Sequence, residues 1–163
     1  MQQLSDEEFY QQLKKEKTVT NITVSPFDPH FRSHIEKGVW SLVSTLLTKN
    51  YYPVSSCEGH EKEKLLYITL AFGELFLFRC FLNTLQQSSI KGLEWETFDR
   101  QFKTKVVINS SNVDKIPSTI KEEVQYVNKL FGTNYLSYRY VRVMIKSCNK
   151  YQKKQLEKLF QSL

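Results

Sequence analysis

Between residues 29 and 48 the apolar positions Phe31, Ile35, Val39, Leu42, Val43, Leu46 and Leu47 recur at three and four, the period of a helix with one buried stripe. Asp28-Pro29 offers its start, an N-cap followed by proline at the first helical position, and Lys49-Asn50 its end. Tyr51 to Ser55 reads as a strand that delivers the loop Cys57-Glu58-Gly59-His60. Leu65 to Phe72 is apolar nearly throughout, as a central strand covered on both sides would be. Gly73 turns the chain into a helix over 74–87, and a loop follows to Gly92. Leu93 to Phe102 fits two periods: Leu93, Trp95 and Thr97 alternate, while Trp95, Phe98 and Phe102 suit a helix.

Further signals complete the chain. Ser5-Asp6-Glu7-Glu8 fits a capping box and predicts a helix over 6–16, with Leu4, Phe9 and Leu13 as its apolar contacts. Thr18 to Val24 predicts a strand and Ser25-Pro26-Phe27 a turn. Lys105 to Asn109 predicts another strand, 110–114 a loop, and Pro117 to Phe131 a helix stopped by Gly132. Tyr135 to Lys146 predicts a long strand. Asn149 to Leu163 predicts a terminal helix with Tyr151, Leu156, Leu159 and Phe160 as apolar contacts. This order predicts an α/β (or α+β) fold: one domain over 1–163, with a mixed sheet of four to five strands and helices packed against it. No repeat, low-complexity segment or linker divides it.

Charge changes the picture. Residues 1–50 carry six basic and six acidic groups, residues 51–100 five and seven, and residues 101–163 twelve and four. The whole excess of the net +6 therefore lies in the last third. A concentrated basic surface favours polyanions: RNA, DNA, a nucleotide or an acidic protein. No apolar run reaches the roughly 18 residues of a membrane span. Three cysteines without paired spacing argue against a disulfide framework. With no basic and apolar leader at the start, these features predict a cytoplasmic protein with reduced thiols and no membrane partner.

The best chemical groups are close in sequence. His30 and His34 stand one helical turn apart, and Cys57 and His60 have a tight-turn spacing suited to zinc. Together they form a candidate metal set. Without a metal, Cys57 is a candidate nucleophile or a small buried residue, Glu58 a general base or an exposed carboxylate, and His60 an acid, a base or a phosphate ligand. Gly59 permits a tight backbone turn whose amides could meet an anion. In the 135–146 strand, Val141, Val143 and Ile145 have core parity. Tyr138, Tyr140, Arg142, Met144 and Lys146 have the other, which suits either a platform where rings stack on bases and cations take phosphates, or a face covered by a helix with the tyrosines in the core. Lys150, Lys153, Lys154 and Lys158 would extend the positive field. Phosphate-loop, dinucleotide, serine-hydrolase and metalloprotease motifs are absent from the sequence.

The segment from Asp28 through Tyr52-Pro53-Val54-Ser55-Ser56-Cys57-Glu58-Gly59-His60 to the apolar run ending at Phe72 resembles small uncharacterised bacterial and phage proteins with a Ser-Cys-Glu-Gly-His loop. More distantly, residues 27–72 resemble the tRNA wybutosine-synthesis methyltransferases, whose Asp-helix segment precedes a Ser-Ser-Cys-x-Gly loop. That family has a basic residue after the glycine, where this chain has His60. The resemblance implies S-adenosylmethionine as cofactor, a nucleic-acid substrate, and Asp28, Ser56, Cys57 and Gly59 as the matching positions. The leading expectation is a basic protein that binds nucleic acid or a nucleotide through its last third, with the Cys57–His60 loop lining the site. An RNA-modifying activity is implied by the resemblance alone. A non-catalytic interaction or inhibitor module and a zinc protein are the alternatives.

Overall fold

The computed structural model describes residues 25–29, 31–59, 64–99 and 120–163. Among them four strands, β1 (Tyr52–Glu58), β2 (Leu65–Phe72), β3 (Leu93–Phe98) and β4 (Arg139–Lys146), form one sheet in the order β1-β2-β4-β3. Four α-helices accompany it: α1 (Lys37–Thr48), α2 (Leu75–Gln86), α3 (Ile120–Phe131) and α4 (Lys150–Gln161). The expected combination of one sheet with helices packed against it is adopted, but among the described residues all four strands pair antiparallel where a mixed sheet was expected. The expected helix at 6–16 and the strands at 18–24 and 105–109 lie outside the described residues, as does the loop at 110–114.

β2 is the central strand that its apolar run predicts, buried along nearly its whole length. Its register puts Leu66 opposite Ile145, Ile68 opposite Val143 and Leu70 opposite Val141. These six side chains make one face, covered by Val39, Leu42, Val43 and Leu46 of α1, Phe78, Phe81 and Leu85 of α2, and Leu156 and Phe160 of α4. Phe81 ties the layers together, with ring centres 5.3 Å from Phe72 and 6.4 Å from Phe160. Alternate residues build the opposite face, where Ala71, Tyr138 and Tyr140 pack against Val124, Val127, Leu130 and Phe131 of α3. The ambiguous stretch after Leu93 is strand β3, so alternation was the correct period there.

Three boundaries differ from the sequence pattern. The helix expected from residue 29 begins at Lys37; Phe31–His34 is a short 3-10 turn, and Glu36 is extended. β1 runs on through Ser56, Cys57 and Glu58, so these residues belong to the sheet rather than to a loop. β4 begins at Arg139, not at Tyr135. The last difference follows from Asn128, near the end of α3. Its Oδ1 accepts from Tyr135 N–H at 3.0 Å, from the Thr133 hydroxyl at 3.0 Å and from the Tyr138 hydroxyl, while its Nδ2 donates to Tyr135 O at 2.9 Å. Those bonds hold residues 133–138 as a compact turn. Gly132 stops α3 with φ of +66°, as its position predicts.

Candidate nucleic-acid interface

The Cys57 segment is structural in its geometry. Cys57 is 1% exposed, and its Cα pairs with that of Tyr67 across β1 and β2. Its Sγ accepts from the Gly59 N–H at 3.5 Å, a turn made by Gly59 at φ of +92°. Glu58 is not placed as a free base. Its Oε2 accepts from the Gly38 N–H at 2.7 Å, and Glu36 Oε1 accepts from the Glu58 N–H at 3.1 Å. A carboxylate from the end of β1 thus caps the first turn of α1, where donors without intrahelical partners are favourably met by negative charge. A side chain at Gly38 would collide with Glu58, which explains a glycine at the second position of the helix. The amides of Glu58 and Gly59, expected to face an anion, are already bonded within the protein. Glu58→Ala should lower stability by about 1 kcal/mol, a typical capping loss, read as a shifted urea midpoint at constant m.

The Asp28 turn and the Ser56 strand do meet. Pro26, Phe31, Ser55, Ser56 and Leu130 line one cavity of about 10 Å³. That space suits about one water, not a nucleoside-sized cofactor such as S-adenosylmethionine. Asp28 itself is exposed on the turn, and Ser56 is buried opposite Ile68. His34 is exposed on the 3-10 turn, whereas His30 and His60 lie outside the described residues. Among the described residues no group of three or more His, Cys, Asp or Glu could hold a metal. Cys57, Cys80 and Cys148 form no disulfide, and burial pushes the Cys148 thiol upward in pKa. A wider groove of about 840 Å³ runs along Arg32, Glu36, Lys37 and Trp40. It is open, and its mixed charges select no sign of ligand.

The proposed stacking platform is corrected. Tyr140 is 0% exposed, stacks on Phe98 at 5.6 Å and donates to the buried Glu123 at 3.2 Å. Tyr138 is buried beside it, and loss of water pushes its phenol up to about 12 despite the bond with Thr133. Neither ring can meet a base in this arrangement, because α3 covers them. Arg142 is 17% exposed and donates from Nε to Thr69 Oγ1 at 2.9 Å. Its guanidinium lies 5.0 Å from the Tyr67 ring centre and 5.3 Å from that of Phe98, with Glu96 at 3.7 Å. Its charge is therefore held by the protein. Met144 is half-buried; of the expected platform, Lys146 is exposed.

The structure gathers the lysines elsewhere. Leu65 pairs with Lys146, Ser147 N–H donates to Lys64 O at 2.9 Å, and Gln152 Nε2 donates to Lys91 O at 2.8 Å. Lys64, Lys91, Lys146 and Lys150 consequently meet at one end of the sheet, where Gly59 also lies against Lys64. Gly59 of the expected loop thus lies near Lys146 and Ser147 of the basic third, while Cys57 and Glu58 are turned to other uses. From this end α4 extends with a capping box between Asn149 and Gln152. Leu156 and Phe160 are fully buried, while Lys150, Lys154 and Lys158, four apart, are exposed. Tyr151, expected in the core, is 71% exposed. The helical wheel could have placed it, since Tyr151 falls about 140° from Leu156 and 180° from Phe160 at 3.6 residues per turn.

No protein-family model, curated protein or solved structure matches this chain.

Proposed function

We propose that this protein binds nucleic acid through the exposed lysine face of α4 and the basic end of the sheet. The observation that carries the reading is the Lys150-Lys154-Lys158 stripe, continuous with Lys64, Lys91 and Lys146 at the start of the helix. A row of ammonium groups anchored on a rigid helix suits a regularly charged polymer, because each phosphate contact releases condensed counterions. Glu157 is the one acidic residue of α4. The reading takes no catalytic step, since Glu58 serves as a cap and Cys57 is enclosed.

The test is anisotropy of a labelled oligonucleotide of about 20 nucleotides between roughly 50 and 200 mM salt. Affinity should fall steeply with salt. Replacing Lys150, Lys154 and Lys158 together by glutamine should weaken binding by about tenfold or more and flatten the log–log salt slope by about 2 to 3, close to one unit per lost contact. Salt-independent binding, or a triple variant equal to the wild type, would sink the proposal. Equal affinity for poly-glutamate would move it to an acidic protein partner.

A second reading, a protein-interaction module, is favoured by a different surface. Leu75, Phe76 and Leu77 begin α2 with their side chains exposed, Phe76 by 74%. Leu136, 97% exposed, follows Tyr135, whose hydroxyl bonds Glu74 at 3.0 Å beside them. Exposed apolar residues gathered in this way mark contact surfaces. They lie at the Phe72 and Arg139 end of the sheet, opposite the lysines. Capture of a partner that survives nuclease treatment and is lost in Phe76→Ser would favour this reading.

A further inference from the structure

The lysine ridge of α4 contains an aromatic ring that phosphate binding alone does not use. Tyr151, Lys154 and Lys158 are spaced by three and four, so they share one ridge about 10 Å long on the side of the helix away from Leu156 and Phe160. At 71% exposure Tyr151 is not a core residue with an exposed edge; most of its surface faces solvent. Its helix cannot turn to hide it, because Asn149 and Gln152 fix the first turn and Gln152 is tied to Lys91 O.

Resting on the nucleic-acid reading, we infer that the ligand is single-stranded, with an unstacked base lying on Tyr151 while Lys154 and Lys158 take the neighbouring phosphates. In a duplex, base faces are stacked on one another and closed to a protein ring, which leaves base edges and backbone charge but nothing for the ring to stack on. In a single strand every base has a free face, and stacking on an aromatic side chain tolerates any sequence. The alternation of ring and cations along one helix ridge fits a polymer in which bases and phosphates alternate. A partner offering only negative charge would gain nothing from the ring.

The experiment compares labelled oligo-dT, a mixed-sequence single strand and the corresponding duplex, each with wild-type protein, Tyr151→Ala and Tyr151→Phe. The wild type should bind the single strands more tightly than the duplex. Tyr151→Ala should lose about tenfold on single strands and leave duplex affinity within about twofold, while Tyr151→Phe, which keeps the ring, should retain wild-type affinity. The exposed position predicts unchanged melting temperatures for both variants. Duplex binding as tight as single-strand binding, or a silent Tyr151→Ala, would overturn this inference while leaving the lysine-based reading intact. Failure of every oligonucleotide to bind would remove that reading and this inference with it.

Discussion

Replacing Tyr140 with alanine should cost about 3–5 kcal/mol of folding stability, the range for deleting a large buried ring. Tyr140 is among the largest fully buried side chains, and its loss would leave Phe98 without its stacked neighbour and Glu123 without the phenolic donor. A domain of this kind has only about 5–15 kcal/mol in total. At about 2–4 °C per kcal/mol for a chain this size, melting should fall by roughly 6–20 °C. Tyr140→Phe keeps the ring and should lose only about 1 kcal/mol, the net worth of one hydrogen bond. Thermal and urea unfolding of the pair separate cavity from hydrogen bond. A Tyr140→Ala protein that melted with the wild type but had lost oligonucleotide binding would return this ring to the surface.

Arg142→Ala should cost about 3 kcal/mol through two losses. The buried Thr69 hydroxyl would lose a charge-assisted donor, ordinarily worth about 1.5–3 kcal/mol. The faces of Tyr67 and Phe98 would lose a cation held between them, at about 0.5–2 kcal/mol for each contact. Arg142→Lys should recover only part of this, because an ammonium cannot reproduce the planar group that reaches Thr69 and both rings together. Measured at a temperature where the variant is folded, oligonucleotide affinity should stay within about twofold of the wild type. A stable Arg142→Ala protein with a large loss of affinity would show that the guanidinium serves a ligand rather than the sheet.

Much of the fold was legible because it was written locally. Leu65 to Phe72 is apolar but for Thr69, a run that suits a strand covered on both faces, and it became β2 with those bounds. The alternation of Val141, Val143 and Ile145 correctly divided β4 into two faces. What covers the second face was not local. The stripe of Val124, Val127, Leu130 and Phe131 says that α3 is amphipathic, but not that it lies on Tyr138 and Tyr140. The start of α1 was missed for a similar reason. Asp28-Pro29 has the form of a helix start, yet the carboxylate that caps the helix belongs to Glu58, 20 positions beyond Gly38. The candidate site moved accordingly, from tyrosines of correct parity but buried position to a lysine ridge that the charge count had already placed in the last third.

The reciprocal link between Glu36 and Glu58 has a consequence for motion. A helix end usually frays in isolation, its first amides exchanging with solvent while the rest stays closed. Here the Gly38 amide is held by a side chain of β1, and the Glu58 amide by a side chain from the residue before α1. Neither end opens without breaking a bond to the other. The first turn of α1 and the last residue of β1 thus behave as one opening unit, and the helix inherits at its start the persistence of the sheet edge to which it is tied.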